Sequence, residues 1–238
     1  MTTYLGKETR FTWLGHSTFL VEAPSGSRML IDPWLEGNPM CPKEFYDPGD
    51  VDLILVSHGH FDHISSVEAV AQKYKPQIVC NFEIGHYFQS KGLENIVQMN
   101  KGGTVEACDF MITMTNAFHS SGIIDGDQMI YGGEPAGFVV ECENEFRFYF
   151  AGDTCVFGDM QLIGEMHAPL LAILPIGDLF TMGPREAAKA AHLLNAKMVL
   201  PMHYGTFPAL TGTPQALREA IGTLPIQVAE LEPGGVLE

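Results

Sequence analysis

The segment Ser57-His58-Gly59-His60-Phe61-Asp62-His63 restricts the folds open to this chain more than any other part of the sequence. It follows residues 52–56, whose unbroken apolar run is typical of a short buried strand. A loop at the end of such a strand can turn all three imidazoles and the carboxylate toward one point. These side chains suit zinc, manganese, iron or nickel. Because four ligands exceed what one open catalytic ion takes from one loop, the spacing indicates a pair of ions.

Three later residues extend this pattern, because each follows an apolar, strand-like run. They are His119 after residues 111–114, Asp153 after residues 148–152, and His203 after residues 198–201. Taken singly, a histidine after a strand is more often structural, and an aspartate in Gly-Asp-Thr is more often a helix cap. The alternative for the first segment is a histidine-rich surface turn. Each further ligand-type residue at a fixed spacing favours a metal site instead.

The overall charge of the chain argues against nucleic acid as its partner. The 238 residues include 13 Lys+Arg and 29 Asp+Glu, which gives a formal net charge of −16. Binding to a phosphate backbone needs a basic face, so we expect no nucleic-acid partner. Hydrophobic residues make up 46% of the chain, which is enough for a packed core. No segment has the composition of a linker, so we expect one domain over residues 1–238.

Three sequence features bear on the compartment. The first residues lack an apolar segment and a small-residue cleavage site, so we expect no secretory signal. No stretch approaches the roughly 18 to 20 apolar residues of a membrane span, so we expect no membrane association. The five cysteines are scattered without a Cys-x-x-Cys pair, and we interpret them as reduced, mostly buried thiols. The sequence therefore predicts a cytoplasmic protein, and it leaves a homo-oligomer open.

Short strands separated by helices are predicted along the whole chain. The predicted strands are residues 10–14, 17–23, 29–31, 52–56, 77–80, 95–99, 104–108, 110–115, 137–142, 146–150, 170–174, 198–200 and 226–229. The predicted helices are residues 63–74, 82–90, 184–194 and 214–223. Residues 116–134 are polar and glycine-rich and are predicted to form a loop, and long loops are often functional. This order favours two sheets packed face to face with helices outside.

The order His58-x-His60-x-Asp62-His63, His119, Asp153, His203 resembles the metallo-β-lactamase superfamily. Within it, the chain is similar to a branch of compact bacterial and archaeal metal-dependent hydrolases. L-ascorbate-6-phosphate lactonase and the N-acyl-phosphatidylethanolamine phospholipase D type are more distant relatives. The segments that carry the closer resemblance are Trp13-Leu14-Gly15-His16-Ser17, Leu30-Ile31-Asp32-Pro33, Leu174-Pro175-Ile176-Gly177-Asp178 and Phe180-Thr181-Met182-Gly183-Pro184.

This resemblance implies an α/β fold, a four-layer αββα sandwich of two mixed sheets with the metals at one sheet edge. It also implies the ligand sets: His58, His60 and His119 for one ion, Asp62, His63 and His203 for the other, and Asp153 as the bridge. No cysteine takes a ligand position, which differs from the lactamases that use one. This difference argues against β-lactam cleavage and favours a phosphatase-, lactonase- or amidase-like reaction.

We therefore predict a metal-dependent hydrolase with two divalent transition metals, zinc first and manganese, iron or nickel as alternatives. A hydroxide shared by the ions would attack a carbonyl or phosphoryl ester or a lactone, with Asp62 and His203 as catalytic residues. The ligands carry only two carboxylates against two divalent ions, so a small, anionic substrate is compatible with the site. The alternatives are an iron-dependent oxidoreductase of the dioxygenase type, a nuclease or phosphodiesterase, and a metal-binding module without catalysis.

Five further residues are weaker candidates for contacts with substrate or with the ligands. His16 is predicted to contact substrate, to ligate metal, or to form only a turn. Asp32 is predicted either to accept the N–H of a ligating histidine or to form a turn. Asp178 and Ser120 are predicted near the pocket, and Tyr204 is predicted to donate to a developing oxyanion.

Overall fold

The computed structural model describes residues 9–238, in which short strands dominate and six α-helices flank them. The strands are β1 Arg10–Trp13, β2 Phe19–Glu22, β3 Arg28–Ile31, β4 Leu53–Leu55, β5 Gln77–Asn81, β6 Ile96–Met99, β7 Thr104–Ala107, β8 Phe110–Asn116, β9 Gly122–Asp125, β10 Gln128–Tyr131, β11 Ala136–Cys142, β12 Arg147–Phe150, β13 Leu171–Pro175, β14 Met198–Met202, β15 Gln227–Val228 and β16 Val236–Leu237. The helices are α1 Phe61–Ile64, α2 Val67–Tyr74, α3 Phe82–Ser90, α4 Met160–His167, α5 Pro184–Leu193 and α6 Pro214–Ile221, with a 3-10 turn at Lys43–Phe45.

Two seven-stranded mixed sheets form the body of the protein. The first has the order β16-β1-β2-β3-β4-β5-β6, and the second has the order β15-β14-β13-β12-β11-β8-β7. In the first sheet β3, β4, β5 and β6 run parallel, and in the second β12, β13, β14 and β15 do. The other neighbours in each sheet are antiparallel. Each sheet therefore has one parallel half, whose strands all end at the same edge.

Apolar side chains explain why the sheets stack with helices outside. One core cluster joins Phe11 and Leu53 of the first sheet to Phe138 and Leu171 of the second. A second cluster packs the other face of the first sheet against α2 and α3, while α5 and α6 contact β13 and β15. All three residues of β4 are buried, as expected of a parallel strand covered on both faces. The predicted αββα sandwich is confirmed, and the shared core supports one domain, which stays a prediction.

The predicted loop at residues 116–134 is wrong, because it contains the antiparallel hairpin of β9 and β10. Two residues, Gly126 and Asp127, connect these strands, and Gly126 has φ of 60°. Glycine adopts this left-handed conformation without a steric cost, which a tight hairpin turn requires. A Gly-Asp pair between strand-like runs is a known hairpin signal. The polar composition of the surrounding segment hid this signal.

The predicted helix at residues 63–74 divides into α1 and α2. Ser66 lies at the break, where its N–H donates to the Pro33 carbonyl and its Oγ accepts from Leu35 N–H. These bonds to another segment replace the intrahelical bonds of a continuous helix. The prediction also omitted α4, which buries Met160 and Ile163.

The cysteines follow the prediction only in part. All five are free thiols, and Cys41, Cys80 and Cys142 are buried. Cys108 and Cys155 are exposed instead. Separately, none of the helices within residues 9–238 combines the length and the apolar character needed to cross a membrane.

Candidate metal centre

The predicted ligands come together at the edge where the parallel strands of both sheets end. His58 and His60 follow β4, and Asp62 and His63 lie on α1. Asp153 follows β12 and His203 follows β14 in the other sheet. Since the carboxyl ends of parallel strands share one edge of a sheet, side chains far apart in sequence meet here.

His58, His60 and His119 form the outer cluster. One nitrogen from each ring lies within 4.8 Å of the others, and His58 Nε2 is 3.0 Å from His60 Nδ1. His58 is fully buried, whereas the other two are half-buried. Burial, reinforced by the nearby His63, lowers the pKa of His58 well below its usual value, and burial also lowers the pKa of His60 and His119. The three imidazoles are therefore neutral and offer the lone pairs that a metal ion needs.

His16, Asp62, His63 and His203 form the inner cluster, with one ligand atom from each within 4.8 Å of the others. Asp62 Oδ2 is 2.9 Å from His16 Nε2, 3.8 Å from His63 Nε2 and 3.9 Å from His203 Nε2. Burial raises the pKa of Asp62, but the charge of His63 and the hydrogen bond from His16 outweigh it and bring this pKa to about 2. Asp62 is therefore a charged carboxylate at neutral pH.

His16 supports Asp62 within the inner cluster. Because a carboxylate can only accept, the His16 Nε2–H donates to Asp62, and its Nδ1 faces Thr206 Oγ1 at 2.9 Å. Burial lowers the pKa of His16 to about 4, although the hydrogen bond to Asp62 acts in the opposite direction. The ring is therefore neutral. With its proton directed at Asp62, it orients the carboxylate.

Asp153 lies between the outer and inner clusters. Its Oδ2 is 3.0 Å from His203 Nε2, 3.4 Å from His63 Nε2, 3.6 Å from His119 Nε2 and 3.9 Å from His58 Nε2. Burial raises the pKa of Asp153, but His203 and His63 lower it well below its usual value. A charged carboxylate oxygen thus faces imidazoles of both clusters, which is the position that a ligand shared by two ions takes.

Asp32 links the two clusters by hydrogen bonds on their buried side. Its fully buried carboxylate accepts from His63 Nδ1 at 2.7 Å, from Ser57 N–H at 2.7 Å and from Ser57 Oγ at 2.5 Å. The same Ser57 Oγ is 2.9 Å from His58 Nδ1. One carboxylate therefore orients His63 directly and His58 through a hydroxyl. Partners of this kind fix the tautomer and the direction of histidines that bind metal.

Three of these residues have a left-handed backbone. His16, Asp32 and His203 have φ of 55°, 44° and 55°. The left-handed backbone conformation costs a residue other than glycine about 1–3 kcal/mol. Such strain concentrates at functional sites. His203 N–H donates to the His16 carbonyl at 3.0 Å, so two of the strained residues hold each other. The surrounding packing therefore stabilises a conformation that these residues do not favour by themselves.

The chemistry of the donor set fits a pair of transition-metal ions. Among the described residues, His63 Nε2 and Asp153 Oδ1 are buried without a hydrogen bond, although buried polar atoms are normally bonded. Burial lowers the pKa of His63, but Asp153, Asp62 and Asp32 raise it well above its usual value. Imidazole and carboxylate donors suit zinc, manganese, iron or nickel.

The β9–β10 hairpin holds the loop of the outer cluster in place. Gly59 N–H donates to Ser121 Oγ, which in turn donates to the Gly132 carbonyl. A Cβ on Gly59 would lie 2.6 Å from Ile123 Cγ1. Glycine is therefore required between the first two histidines, because the hairpin packs directly on the backbone there.

A cavity of about 600 Å³ opens over the centre. We call it the apolar cavity, because five of its lining residues are large and apolar. Within residues 9–238, its polar side chains come from ligand-type residues and from Ser120. The apolar lining residues are Phe61, Ile124, Met129, Phe180 and Phe207. The pattern of ligand-type residues in the sequence predicted none of these five for the site. For Ile124 and Met129, the available sequence signal was the turn at Gly126 and Asp127, which indicates the hairpin that carries them.

The weaker candidates separate into two sets. Ser120 lines the apolar cavity and its Oγ is 3.1 Å from His60 Nε2, and His16 and Asp32 contact the clusters as described above. Asp178 is exposed and accepts from Leu179 N–H. Tyr204 stacks on Trp13 at 5.2 Å, and burial raises the pKa of its hydroxyl. Within residues 9–238, the side chains of Asp178 and Tyr204 make no hydrogen bond to either cluster, so their predicted roles stay predictions.

Comparison with known families agrees with this geometry. The family model described as a beta-lactamase superfamily domain matches residues 27–204, which contain every residue of both clusters except His16. The chain belongs to the metallo-β-lactamase superfamily. The resemblance predicted from the histidine order is confirmed.

Relatives within the superfamily are similar over nearly the whole chain. A UPF0173 metal-dependent hydrolase of Koribacter versatilis is 49% identical over 225 residues, covering 94% of this chain and 96% of the relative. Another from Rubrobacter xylanophilus is 55% identical and covers 87% of this chain and 86% of the relative. The structure of Igni18, a metallo hydrolase from the archaeon Ignicoccus hospitalis, has a TM-score of 0.85 at 32% identity, covering 96% and 97% of the two chains. The protein is a metal-dependent hydrolase of the metallo-β-lactamase fold.

Proposed function

We propose that the protein holds two divalent transition-metal ions, zinc first, and hydrolyses a carbonyl or phosphoryl ester or a lactone. The outer cluster would hold one ion, Asp62, His63 and His203 would hold the other, and Asp153 would be shared. The observation that carries this proposal is the distance of 3.0 to 3.9 Å from Asp153 Oδ2 to imidazole nitrogens of both clusters.

When bound, two such ions lower the pKa of water to generate a nucleophile at neutral pH and polarise the oxygen of the group under attack. The residues of the chain supply positioning. Asp62 and His203 are the two members of the inner cluster that line the apolar cavity, so they reach a substrate bound there. With its pKa at about 2, Asp62 accepts a hydrogen bond and orients its donor but stores no proton at neutral pH. His16 keeps that carboxylate in position.

Elemental analysis of the purified, metal-loaded protein tests the ion count. We expect about two ions per chain, and His203→Ala should lower both the ion count and the activity because it removes an inner-cluster ligand. His86→Ala is the matched control, since His86 is exposed on α3, away from the clusters. A wild-type protein that takes up no transition metal under conditions that load other hydrolases would contradict the proposal.

A substrate panel then tests the reaction. The zinc-, manganese-, iron- and nickel-loaded forms are assayed with carboxylic esters, lactones, thioesters, amides and phosphodiesters. Hydrolysis that requires metal and is lost in His203→Ala supports the proposal. Oxygen consumption by the iron form without hydrolysis by any form would instead support the oxidoreductase alternative.

A further inference from the structure

The apolar cavity has walls from four separate parts of the chain. Phe61 begins α1, Ile124 and Met129 lie on the β9–β10 hairpin, Phe180 follows β13, and Phe207 follows β14. His60, His119 and Asp153 form part of the same surface. A molecule bound at the metal centre therefore has large apolar side chains beside it rather than solvent alone.

Four of these five apolar side chains are exposed, and Phe207 is half-buried. Phe61 is 52%, Phe180 55%, Ile124 62% and Met129 77% exposed. Single exposed apolar residues are normal, but a contiguous set of them around a concave site usually marks a binding surface. A bound ligand that covers these groups gains free energy roughly in proportion to the apolar area removed from water.

Charge distinguishes the classes of ligand that this cavity can hold. No lysine or arginine lines it within the described part of the chain. Proteins usually hold phosphate and carboxylate groups with bidentate arginines or with lysines. With two divalent ions bound, the excess positive charge over the two ligand carboxylates would be offset by the nucleophile and by the charge that develops on the substrate oxygen. No cationic side chain of the described lining then remains for a charged arm of the substrate.

The hairpin wall is fixed at its base. Asn81 Nδ2 donates to the Gly132 carbonyl at 2.8 Å and to the Glu134 carbonyl at 3.1 Å. Ile123 of β9 is fully buried, which anchors the strand beside Ile124. The wall is thus formed before a ligand arrives, and a preformed wall reduces the entropy lost on binding.

We propose that the substrate is an uncharged carboxylic ester or lactone with an apolar arm that binds in the apolar cavity. This inference rests on the function proposed above and narrows its substrate class to carbonyl compounds. Water is the only co-reactant: its oxygen bonds to the acyl carbon, the acyl C–O bond breaks, and the leaving oxygen takes a proton. The products are a carboxylic acid and an alcohol, or one hydroxy acid from a lactone.

A chain-length series of p-nitrophenyl esters tests the inference by activity. Acetate, butyrate and octanoate share the leaving group and differ only in the apolar acyl arm. After subtraction of spontaneous hydrolysis, we expect kcat/KM for octanoate to exceed that for acetate by about tenfold or more, because buried methylenes add binding energy. Equal values for the three esters would overturn the inference and leave the hydrolase function intact.

Two methionines provide a matched pair of variants. Met129 lines the apolar cavity and is 77% exposed, while Met166 on α4 is 76% exposed and lies outside it. Met129→Ser should lower the octanoate-to-acetate ratio by about threefold or more, whereas Met166→Ser should not change it. Equal ratios in both variants would overturn the assignment of the arm to this cavity. Because both side chains are exposed, neither change is expected to disturb folding.

Binding without turnover separates the two proposals. Acetohydroxamate and octanohydroxamate share a metal-binding head and differ in the arm, and calorimetry on the metal-loaded protein measures their affinities. Tighter octanohydroxamate binding, weakened by Met129→Ser, supports the apolar cavity even where no ester is hydrolysed, and only the proposed reaction then fails. Equal affinities overturn the inference.

Discussion

The outer and inner clusters each take two residues from the segment 58–63, yet they differ in burial and in charge. Two of the three outer imidazoles are half-buried, and the cluster contains no carboxylate of its own. Every imidazole of the inner cluster is buried, and Asp62 adds a negative charge. Asp32 bonds directly to His63 in the inner cluster but reaches the outer cluster only through Ser57.

In the proposed two-ion centre, this difference predicts distinct metal affinities for the two clusters. A charged, buried ligand set with a directly supported histidine favours tight metal binding. Half-buried neutral ligands favour an ion that exchanges more readily. We therefore expect the inner ion to bind first. The predictions below test this asymmetry, beginning with the change that should affect both halves.

Asp153→Asn should have the largest effect, because it removes the charge located between the clusters while keeping the side-chain shape. We expect kcat to fall about a thousandfold or more and the ion count to fall below two per chain, measured by steady-state kinetics and elemental analysis. Asp109→Asn, at an exposed position bonded to Ser27, is the control. Two tightly bound ions with normal activity in Asp153→Asn would mean that the carboxylate is not shared.

The variants His203→Ala and His119→Ala should show which cluster binds the first ion. Titration with a competing chelator should show that His203→Ala binds the first ion with about a hundredfold lower affinity, because the inner cluster loses a buried ligand. In His119→Ala the first ion should keep its affinity within about threefold, and only the second should be lost. The opposite order would show that the outer cluster fills first.

Asp32→Asn should weaken binding of the first ion by about tenfold to a hundredfold. The amide has one uncharged acceptor oxygen where the carboxylate uses two to accept from His63 and Ser57. Ser57→Ala should act mainly on the second ion, since its hydroxyl is the link to His58. The same chelator titration measures both changes. An equal loss of first-ion affinity in the two variants would remove the proposed difference between direct and indirect support.

Ser120→Ala should have the smallest effect. Its hydroxyl lies on the exposed side of His60, and one neutral hydrogen bond is worth about a threefold change in affinity or rate. Ser90→Ala, at an exposed position on α3, provides the control. A loss of a hundredfold or more in Ser120→Ala would give this hydroxyl a direct role in the reaction.

The sequence predicted two stacked sheets with helices outside and the candidate ligands because these signals are local, and the resemblance to the superfamily implied the αββα arrangement. The apolar run before Ser57 marks a buried strand, and ligand-type residues at strand ends can be read one strand at a time. The comparison with known families confirms the superfamily. The roles of single residues such as Asp153 stay predictions, supported by the geometry described above.

Other features depend on contacts that no local pattern contains. Ser66 divides a helical run because Pro33 and Leu35 bond to it from another segment. Thr206 meets His16 across 190 positions in the chain. The polar composition of residues 116–134 suggested a loop, although Ile123 is buried against the His58 segment and requires a strand there.

By itself, the sequence determined the fold class, the metal-ligand candidates and their order, because residue type and spacing at strand ends define these. The tertiary structure decided how the ligands divide in depth and charge and how apolar the cavity is. The physical reason is that burial, charge and distance at the centre arise from segments of both sheets meeting at one edge. A residue such as Phe180 or Met129 has no functional mark in the sequence and acquires one only from what the fold places beside it.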